Sequence, residues 1–303
     1  MRVLITGATG MIGRALVQAL TERKDRVVVV TRNRDRAEKL LGEAVEYQEA
    51  DPVYEGPWMD EVGRCDAVVH LAGQFLFAHR WTAAEKTQLR NSRILSALNL
   101  VEAIHQSKEP PKVFVSTSAI GYYGEDVPSD RQEDSPRGEG FLAQLCADWE
   151  TVAQKASKSG VRVPIVRVGV VLSKDGGIIE KLAPQFRWGL GGKIGNGKQW
   201  ISWIHREDLV KVYLQCLDDE TLSGPINAVA PHPVTNAEFC RLLAQTLHRP
   251  CWVPIPSLAL KAALGERATA LLGGQQVSPE KLKEHEFSFQ YPECESALQD
   301  LLA

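Results

Sequence analysis

Residues 3–13 read VLITGATGMIG, a short apolar run that passes directly into three glycines. The run is continuous and apolar, as a buried parallel strand is. Gly7 permits a tight turn, Gly10 lets a ligand approach the backbone closely, and Gly13 allows the next helix to pack against the strand. That helix presents free N–H groups and the positive end of its dipole to an anion. The context predicts a loop that binds the pyrophosphate of a dinucleotide.

The end of the second strand, at Thr31 and Arg32, indicates which dinucleotide is bound. Chains that bind NAD usually place an Asp or Glu here, on the 2′-hydroxyl of the adenosine ribose. A guanidinium at this place can instead bind a 2′-phosphate through charge-assisted hydrogen bonds. Arg32 therefore predicts NADP(H), whereas Arg34 or Arg36 is expected to be a solvated charge at a helix start.

Further cofactor contacts are expected at other strand ends, because ligands of such sheets bind at the carboxyl edge. Residues 70–73 read HLAG, where small residues let the backbone approach the cofactor and His70 is expected to be a hydrogen-bonded strand residue. Asp51 either accepts from the adenine amino group or forms an ordinary Asp-Pro turn. The predicted cofactor-binding residues are Gly7, Thr9, Gly10, Met11, Ile12, Gly13, Thr31, Arg32, Asp51, Leu71, Ala72, Gly73 and Ser116.

Strand and helix patterns alternate through the first 170 residues, which predicts an α/β fold with a Rossmann-type doubly wound parallel sheet. Pro164 interrupts the sixth strand, over 161–168, and suggests an irregular or edge position. After Leu172 the chain becomes rich in glycine and proline. We therefore predict a dinucleotide-binding domain over 1–172 and a smaller, mostly C-terminal α/β cap over 173–303. A later strand near 225–228 is expected to return to the main sheet.

Composition narrows the classes of partner. The 303 residues are 44% hydrophobic and 24% charged, which are ordinary globular values, and the formal net charge is −3. This charge argues against non-specific binding to nucleic acid or to an acidic membrane. The six cysteines include no C-x-x-C pair, and Cys146 and Cys240 fall in helical apolar patterns, so buried free thiols and a cytoplasmic location are expected. No His/Cys grouping has metal-ligand spacing, and we predict no metal site.

Several motifs together resemble a known superfamily, the extended short-chain dehydrogenases/reductases, and in particular its NAD-dependent epimerase/dehydratase branch. They are TGATGMIG at 6–13, HLAG at 70–73, STSA at 116–119 with YYG at 122–124, and GNG at 195–197 before WIHREDL at 203–209. LCADWE at 145–150, RVGVVL at 167–172, FRWGLGG at 186–192 and GGQQV at 273–277 are similar to the atypical "epimerase family" proteins of bacteria and mitochondria. Some of these are called cell-division-inhibitor-like, and their C-terminal domain has no assigned chemistry.

The resemblance implies a catalytic Tyr-x-x-x-Lys pair with a Ser or Thr, in which the Lys lowers the Tyr pKa and the Tyr shuttles a proton. Ser118 fits the Ser position. Phe141 and Leu145 stand where the Tyr and Lys are expected, and the chain has no other Tyr-x-x-x-Lys. Tyr122 and Tyr123 are the replacement candidates, either facing the cleft or packing a turn.

Three other polar residues, Glu125, Lys193 and His205, could approach the site, although His205 is expected to cap a helix or to pack in the core. Arg93 could reach an anionic substrate, and a solvated position is favoured. Where nucleotide-sugar relatives grip a diphosphate with an Arg, this chain has Ile201. The tryptophans and the apolar run at 255–264 either line a cap pocket or pack the cap core.

Two functions remain open. The first is an NADP(H)-dependent oxidoreductase or epimerase of atypical type, which acts on an unidentified small molecule in the cap cleft. The second is a non-catalytic NADP(H)-binding protein that couples cofactor redox state to a partner. No nucleic-acid or membrane partner is expected.

Overall fold

A computed structural model describes residues 1–125 and 130–302. Its strands are β1 (Arg2–Thr6), β2 (Arg26–Thr31), β3 (Glu46–Glu49), β4 (Ala67–His70), β5 (Val113–Ala119), β6 (Pro164–Val168), β7 (Val170–Ser173), β8 (Trp200–Ile201), β9 (Trp203–His205), β10 (Gly224–Ala228) and β11 (Val234–Thr235). Its α-helices are α1 (Met11–Glu22), α2 (Arg34–Leu41), α3 (Ala83–Gln106), α4 (Phe141–Gln154), α5 (Gly177–Arg187), α6 (Arg206–Asp218), α7 (Asn236–Thr246), α8 (Ser257–Leu264), α9 (Thr269–Leu272), α10 (Glu280–Glu284) and α11 (Cys294–Leu302).

Seven strands form one parallel sheet in the order β10-β6-β5-β4-β1-β2-β3. The chain runs from β1 outward to β3, then crosses to β4 on the other side of β1. This reversal makes the carboxyl ends of β1 and β4 the switch point at which such sheets bind ligands. The predicted Rossmann-type doubly wound sheet is confirmed.

The sheet is covered on both faces by helices, and β1 shows how the sequence arranges this. Val3 and Ile5 belong to an apolar cluster with α1 and α6, whereas Leu4 belongs to the opposite cluster with α3 and α4. Because side chains alternate along a strand, β1 contributes to the apolar clusters on both faces of the sheet. A third cluster, which includes Leu172 and Trp203, lies among residues from 172 onward, with α5, α7 and α11.

Of the two alternatives for Pro164, an irregular or an edge position of the sixth strand, the edge position is wrong. The strand β6 lies between β5 and β10, inside the sheet. Pro164 is its first residue, opposite Gly224 of β10. A proline is tolerated at the first position of a strand, so it does not break the ladder that follows.

Two small sheets lie outside the main one. In the first, β8 pairs antiparallel with β11, and in the second, β7 pairs parallel with β9. No helix in the described residues is long and apolar enough to cross a membrane.

Candidate functional site

The glycine loop between β1 and α1 is held tightly against the end of β4. Gly7 has a φ of +75°, and a Cβ placed on it would lie 2.7 Å from the Ala72 nitrogen. A Cβ on Gly13 would lie 2.5 Å from the Gly7 oxygen, which is closer than side chains approach backbone atoms. A Cβ on Gly10 would meet only the Gly7 oxygen, at 3.3 Å. The loop is therefore closed by Gly7 and Gly13 and open at Gly10.

The open point lies at the start of α1. Gly10 is the N-cap residue and makes no side-chain capping bond. The loop residue Thr9 and the first helical residues Met11 and Ile12 are partly exposed. Unpaired N–H groups at a helix start favour an anion, and an accessible backbone at Gly10 lets a phosphate come close. These residues fit a dinucleotide pyrophosphate.

Beyond the loop, the end of β2 presents an exposed cationic side chain, Arg32. The Thr31 hydroxyl is buried and accepts from the Asn33 N–H at 3.3 Å, while the Asn33 side chain caps α2 by accepting from the Arg36 N–H at 2.8 Å. Arg32 is exposed. This arrangement fits the expected 2′-phosphate contact of Arg32.

Asp51 forms a local turn. One of its carboxylate oxygens accepts from the Val53 N–H at 3.1 Å, and its carbonyl oxygen accepts from the Tyr54 N–H at 3.0 Å. Of the two alternatives for Asp51, the structure shows the turn, and the adenine contact stays a prediction.

His70, at the end of β4, ties three elements together. Its two ring nitrogens lie 2.7 Å from the Thr6 hydroxyl of β1 and 3.2 Å from the Ser96 hydroxyl of α3. The ring is fully buried, and burial lowers the pKa of His70 to about 4. The neutral imidazole therefore links β4 to β1 and α3, and it helps to position residues 71–73, which follow it at the edge of the sheet.

Arg93 lies beside this strand end and is not solvated, contrary to the favoured expectation. A Cβ placed on Gly73 would lie 3.0 Å from its guanidinium carbon. The guanidinium donates to the carbonyl oxygens of Leu89 at 3.1 Å and Gln74 at 2.9 Å, and it lies over the Trp149 ring at 5.5 Å. Burial lowers the pKa of Arg93. The Arg93 guanidinium therefore lies at the carboxyl edge of the sheet. Its hydrogen-bond acceptors are carbonyl oxygens rather than a carboxylate.

Ser118, the predicted catalytic hydroxyl, is committed to a buried ion pair. It is 1% exposed and donates to Glu150 at 2.6 Å. Glu150 in turn accepts two hydrogen bonds from Arg167, each 2.9 Å. Burial by itself lowers the pKa of Arg167, but the hydrogen bonds and charge of Glu150 outweigh burial and leave that pKa raised. The structure does not support a substrate-polarising role for Ser118. Ser116 is also 1% exposed. Its predicted contact with the cofactor stays a prediction.

The two tyrosines after β5 differ. Tyr123 is fully buried, donates to the Asn227 side chain at 2.7 Å and accepts from Arg167 at 2.8 Å, and burial raises its pKa to about 12. Of the two alternatives for Tyr123, the structure shows the packed one, and its catalytic role stays a prediction. Tyr122 is half-buried with Arg167 3.6 Å from its ring centroid, and its catalytic role stays a prediction.

The two positions at which the resemblance expects Tyr and Lys hold packed apolar side chains. Phe141 meets the Trp81 ring edge-on at 5.3 Å, with the Lys86 ammonium 5.1 Å from the Phe141 ring. Leu145 is 4% exposed. Residues 263–267 contact the segment between β4 and α3, which contains Trp81. Arg267 donates to the Phe77 carbonyl of this segment at 2.9 Å, and Glu266 pairs with Lys86 of α3 at 2.5 Å.

The structure also shows the surroundings of the other polar candidates, His205, Glu125 and Lys193. His205 caps α6 by accepting from the Glu207 N–H at 3.2 Å, so the capping role is the one shown. Glu125 accepts from the Thr269 hydroxyl at 2.8 Å, and Lys193 is exposed. Ile201 is buried in the third apolar cluster.

Sequence reasoning missed Arg167 and Glu150, and underrated Arg93. An available signal was a charged residue inside an apolar strand or helix pattern, since such residues are buried only when paired. Arg167 stands inside PIVRV of β6, and Glu150 follows Trp149 in α4.

Together, a doubly wound parallel sheet, a glycine loop at its switch point and a basic residue after β2 define a dinucleotide-binding α/β protein. The chain belongs to the NAD dependent epimerase/dehydratase family, whose model matches residues 3–228. Residues 255–301 match a domain of unknown function, DUF1731.

Related proteins cover the whole chain. An epimerase family protein SDR39U1 homolog, chloroplastic, from Arabidopsis thaliana is 41% identical over 100% of this chain and 87% of its own length. The crystal structure of human epimerase family protein SDR39U1 with NADPH has a TM-score of 0.88 and 34% identity, covering 100% of this chain and 99% of that one. UDP-glucose 4-epimerase from Thermotoga maritima, at 19% identity and a TM-score of 0.79 over 99% and 97% of the two chains, shares the fold.

Proposed function

We propose that the protein binds NADP(H) at the carboxyl edge of the sheet and acts as an atypical NADP(H)-dependent oxidoreductase or epimerase on a small carbonyl compound. The glycine loop and Arg32 support the cofactor, as does the human relative crystallised with NADPH. The observation that carries the chemistry is Arg93, a half-buried cation at the strand end beside Gly73.

When bound, NADP(H) supplies hydride transfer to or from a carbon centre. The protein's part is to place the substrate and to stabilise the charge that develops on its oxygen. Arg93 is suited to this, because the Leu89 and Gln74 carbonyls hold its guanidinium in place and a preorganised cationic donor stabilises developing negative charge. The proton comes from solvent in this proposal, since the Ser118 and Tyr123 hydroxyls are held in the buried network.

A panel of aldehydes, ketones and keto acids tests the proposal, with NADPH consumption as the readout. Arg93→Gln should lower kcat by about 100-fold or more, as loss of one oxyanion donor does, with the NADPH Kd unchanged. Arg90→Gln is the matched control, because Arg90 lies on the same helix in an exposed pair with Asp148. Unchanged turnover in Arg93→Gln would remove Arg93 from the mechanism.

A second function, a non-catalytic NADP(H)-binding protein that couples redox state to a partner, is favoured by a separate observation. Phe141 and Leu145 replace the proton-transfer pair, and both are packed against neighbours. Tight NADPH binding with no turnover across the panel would decide for this function. Failure to bind any dinucleotide would contradict both.

The substrate in this proposal is not a nucleoside-diphosphate sugar. Ile201 occupies the place where the resemblance expects a diphosphate-binding Arg, and it is buried against the cap rather than facing a ligand. We also propose a reducing compartment, cytoplasmic or equivalent, because five of the six cysteines are buried free thiols. Burial raises the pKa of Cys146 to about 11, which keeps it unreactive.

A further inference from the structure

Two segments after α5 and α7 lie side by side on the surface. The Trp252 and Val253 N–H groups both donate to the Gly191 carbonyl, at 3.0 and 3.1 Å, and the Ile255 N–H donates to Lys193 at 2.9 Å. We call residues 187–194 together with 249–264 the basic apolar surface. The second segment ends in α8.

This surface is rich in exposed apolar side chains. Trp188 is 82% exposed, Leu258 77%, Trp252 71% and Leu190 61%. With Val253, these are five of the ten large hydrophobic residues that are exposed in the described chain. Helix α8 contains three leucines and no buried residue at all. Concentrations of exposed apolar residues mark interaction sites rather than ordinary surface.

The charge of the same surface has one sign. It contains four basic residues and no Asp or Glu, which gives a formal charge of +4, whereas the whole chain carries −3. All four basic side chains are exposed: Arg187, Lys193, Arg249 and Lys261. The net charge of the chain, on which the expectation of no membrane partner rested, therefore hides a local cationic patch.

We propose that the basic apolar surface docks on an anionic lipid membrane. Tryptophan, leucine and basic side chains are the combination that binds the interface of an acidic bilayer, with the aromatic rings at the headgroup level. Anionic lipid attracts each Lys or Arg near the surface. A second copy of the chain fits worse, because a two-fold contact through this surface would set +4 against +4. The attachment is peripheral and is independent of the proposed function.

Co-sedimentation with vesicles tests the docking. The full-length protein should bind vesicles of phosphatidylglycerol mixed with phosphatidylcholine, lose that binding at high salt, and bind pure phosphatidylcholine at least about tenfold more weakly. The double variant Trp188→Ser/Trp252→Ser and the charge variant Arg187→Glu/Lys261→Glu should each lose at least about tenfold. Tyr54→Ser is the matched control, since Tyr54 is 70% exposed but lies outside the surface.

Tryptophan quenching by acrylamide gives a second readout, because Trp188 and Trp252 are the only exposed tryptophans in the described residues. Anionic vesicles should protect them, and neutral vesicles should not. Absence of binding to anionic vesicles would overturn the proposal, as would equal binding to both vesicle types. A concentration-dependent dimer that the tryptophan variant abolishes, without vesicle binding, would assign the surface to a second copy instead.

Discussion

The ion pair between Glu150 and Arg167 allows a sharp test of how the site is built. Both residues are buried, at 8% and 2% exposure, and two hydrogen bonds of 2.9 Å join them. Glu150→Ala leaves the guanidinium in the core without its carboxylate and removes the acceptor of Ser118. Breaking a buried pair in this way costs about 3–5 kcal/mol. We expect the free energy of unfolding to fall by that amount.

Urea denaturation followed by circular dichroism measures the change, and the same helix provides a control. Asp148→Ala removes the partner of Arg90, but this pair is 48% and 27% exposed. An exposed pair contributes about 0–1 kcal/mol, so the control should lose little. Replacing both buried partners, Glu150→Leu with Arg167→Met, should recover much of the loss, because apolar side chains of similar size leave no buried charge.

Equal, small losses in Glu150→Ala and Asp148→Ala would refute the reasoning. That result would mean that water reaches the guanidinium, and the Ser118 hydroxyl would then be free to act on a ligand.

The glycine loop and His70 give two further predictions. Gly10→Ala should keep the thermal unfolding midpoint but weaken NADPH binding, because its Cβ meets only the Gly7 oxygen, at 3.3 Å, and fills the open point. Gly13→Ala should lower both stability and binding, since its Cβ would lie 2.5 Å from the same oxygen; equal melting temperatures in scanning calorimetry would contradict this. The folded pKa of His70, about 4, is below its unfolded value of about 6.5, so the stability it contributes is complete above pH 6.5 and is lost as pH falls toward 4. Between pH 7 and 4.5 the wild type should lose about 2–3 kcal/mol more than His70→Gln in urea titrations, and parallel losses would show that His70 titrates normally.

Local features of the sequence predicted most of the fold. The glycine loop lies between β1 and α1 as its spacing implied. This feature depends on neighbours within a few residues, which a sequence displays directly. The division of the chain at residue 172 stays a prediction.

Features that depend on distant partners were not predictable in the same way. Ser118 matched a catalytic position, but Glu150 approaches it from a helix 32 residues later. The sequence pattern of α3 predicts a solvated position for Arg93. In the structure its guanidinium donates to the carbonyl oxygen of Gln74, 19 residues earlier. The motifs therefore indicated what the site binds, while the long-range pairs determine which groups remain free to act.

The central claim is that this chain binds NADP(H), with Arg32 on the 2′-phosphate, and calorimetric titration with NADPH and NADH tests it most directly. NADPH should bind more tightly than NADH, and Arg32→Ala should weaken NADPH by about 10- to 100-fold, the value of a charge-assisted hydrogen bond, while leaving NADH unchanged. Arg36→Ala, whose residue lies in the first turn of α2, should alter neither affinity. Equal affinities of the unaltered protein for NADPH and NADH would contradict the account.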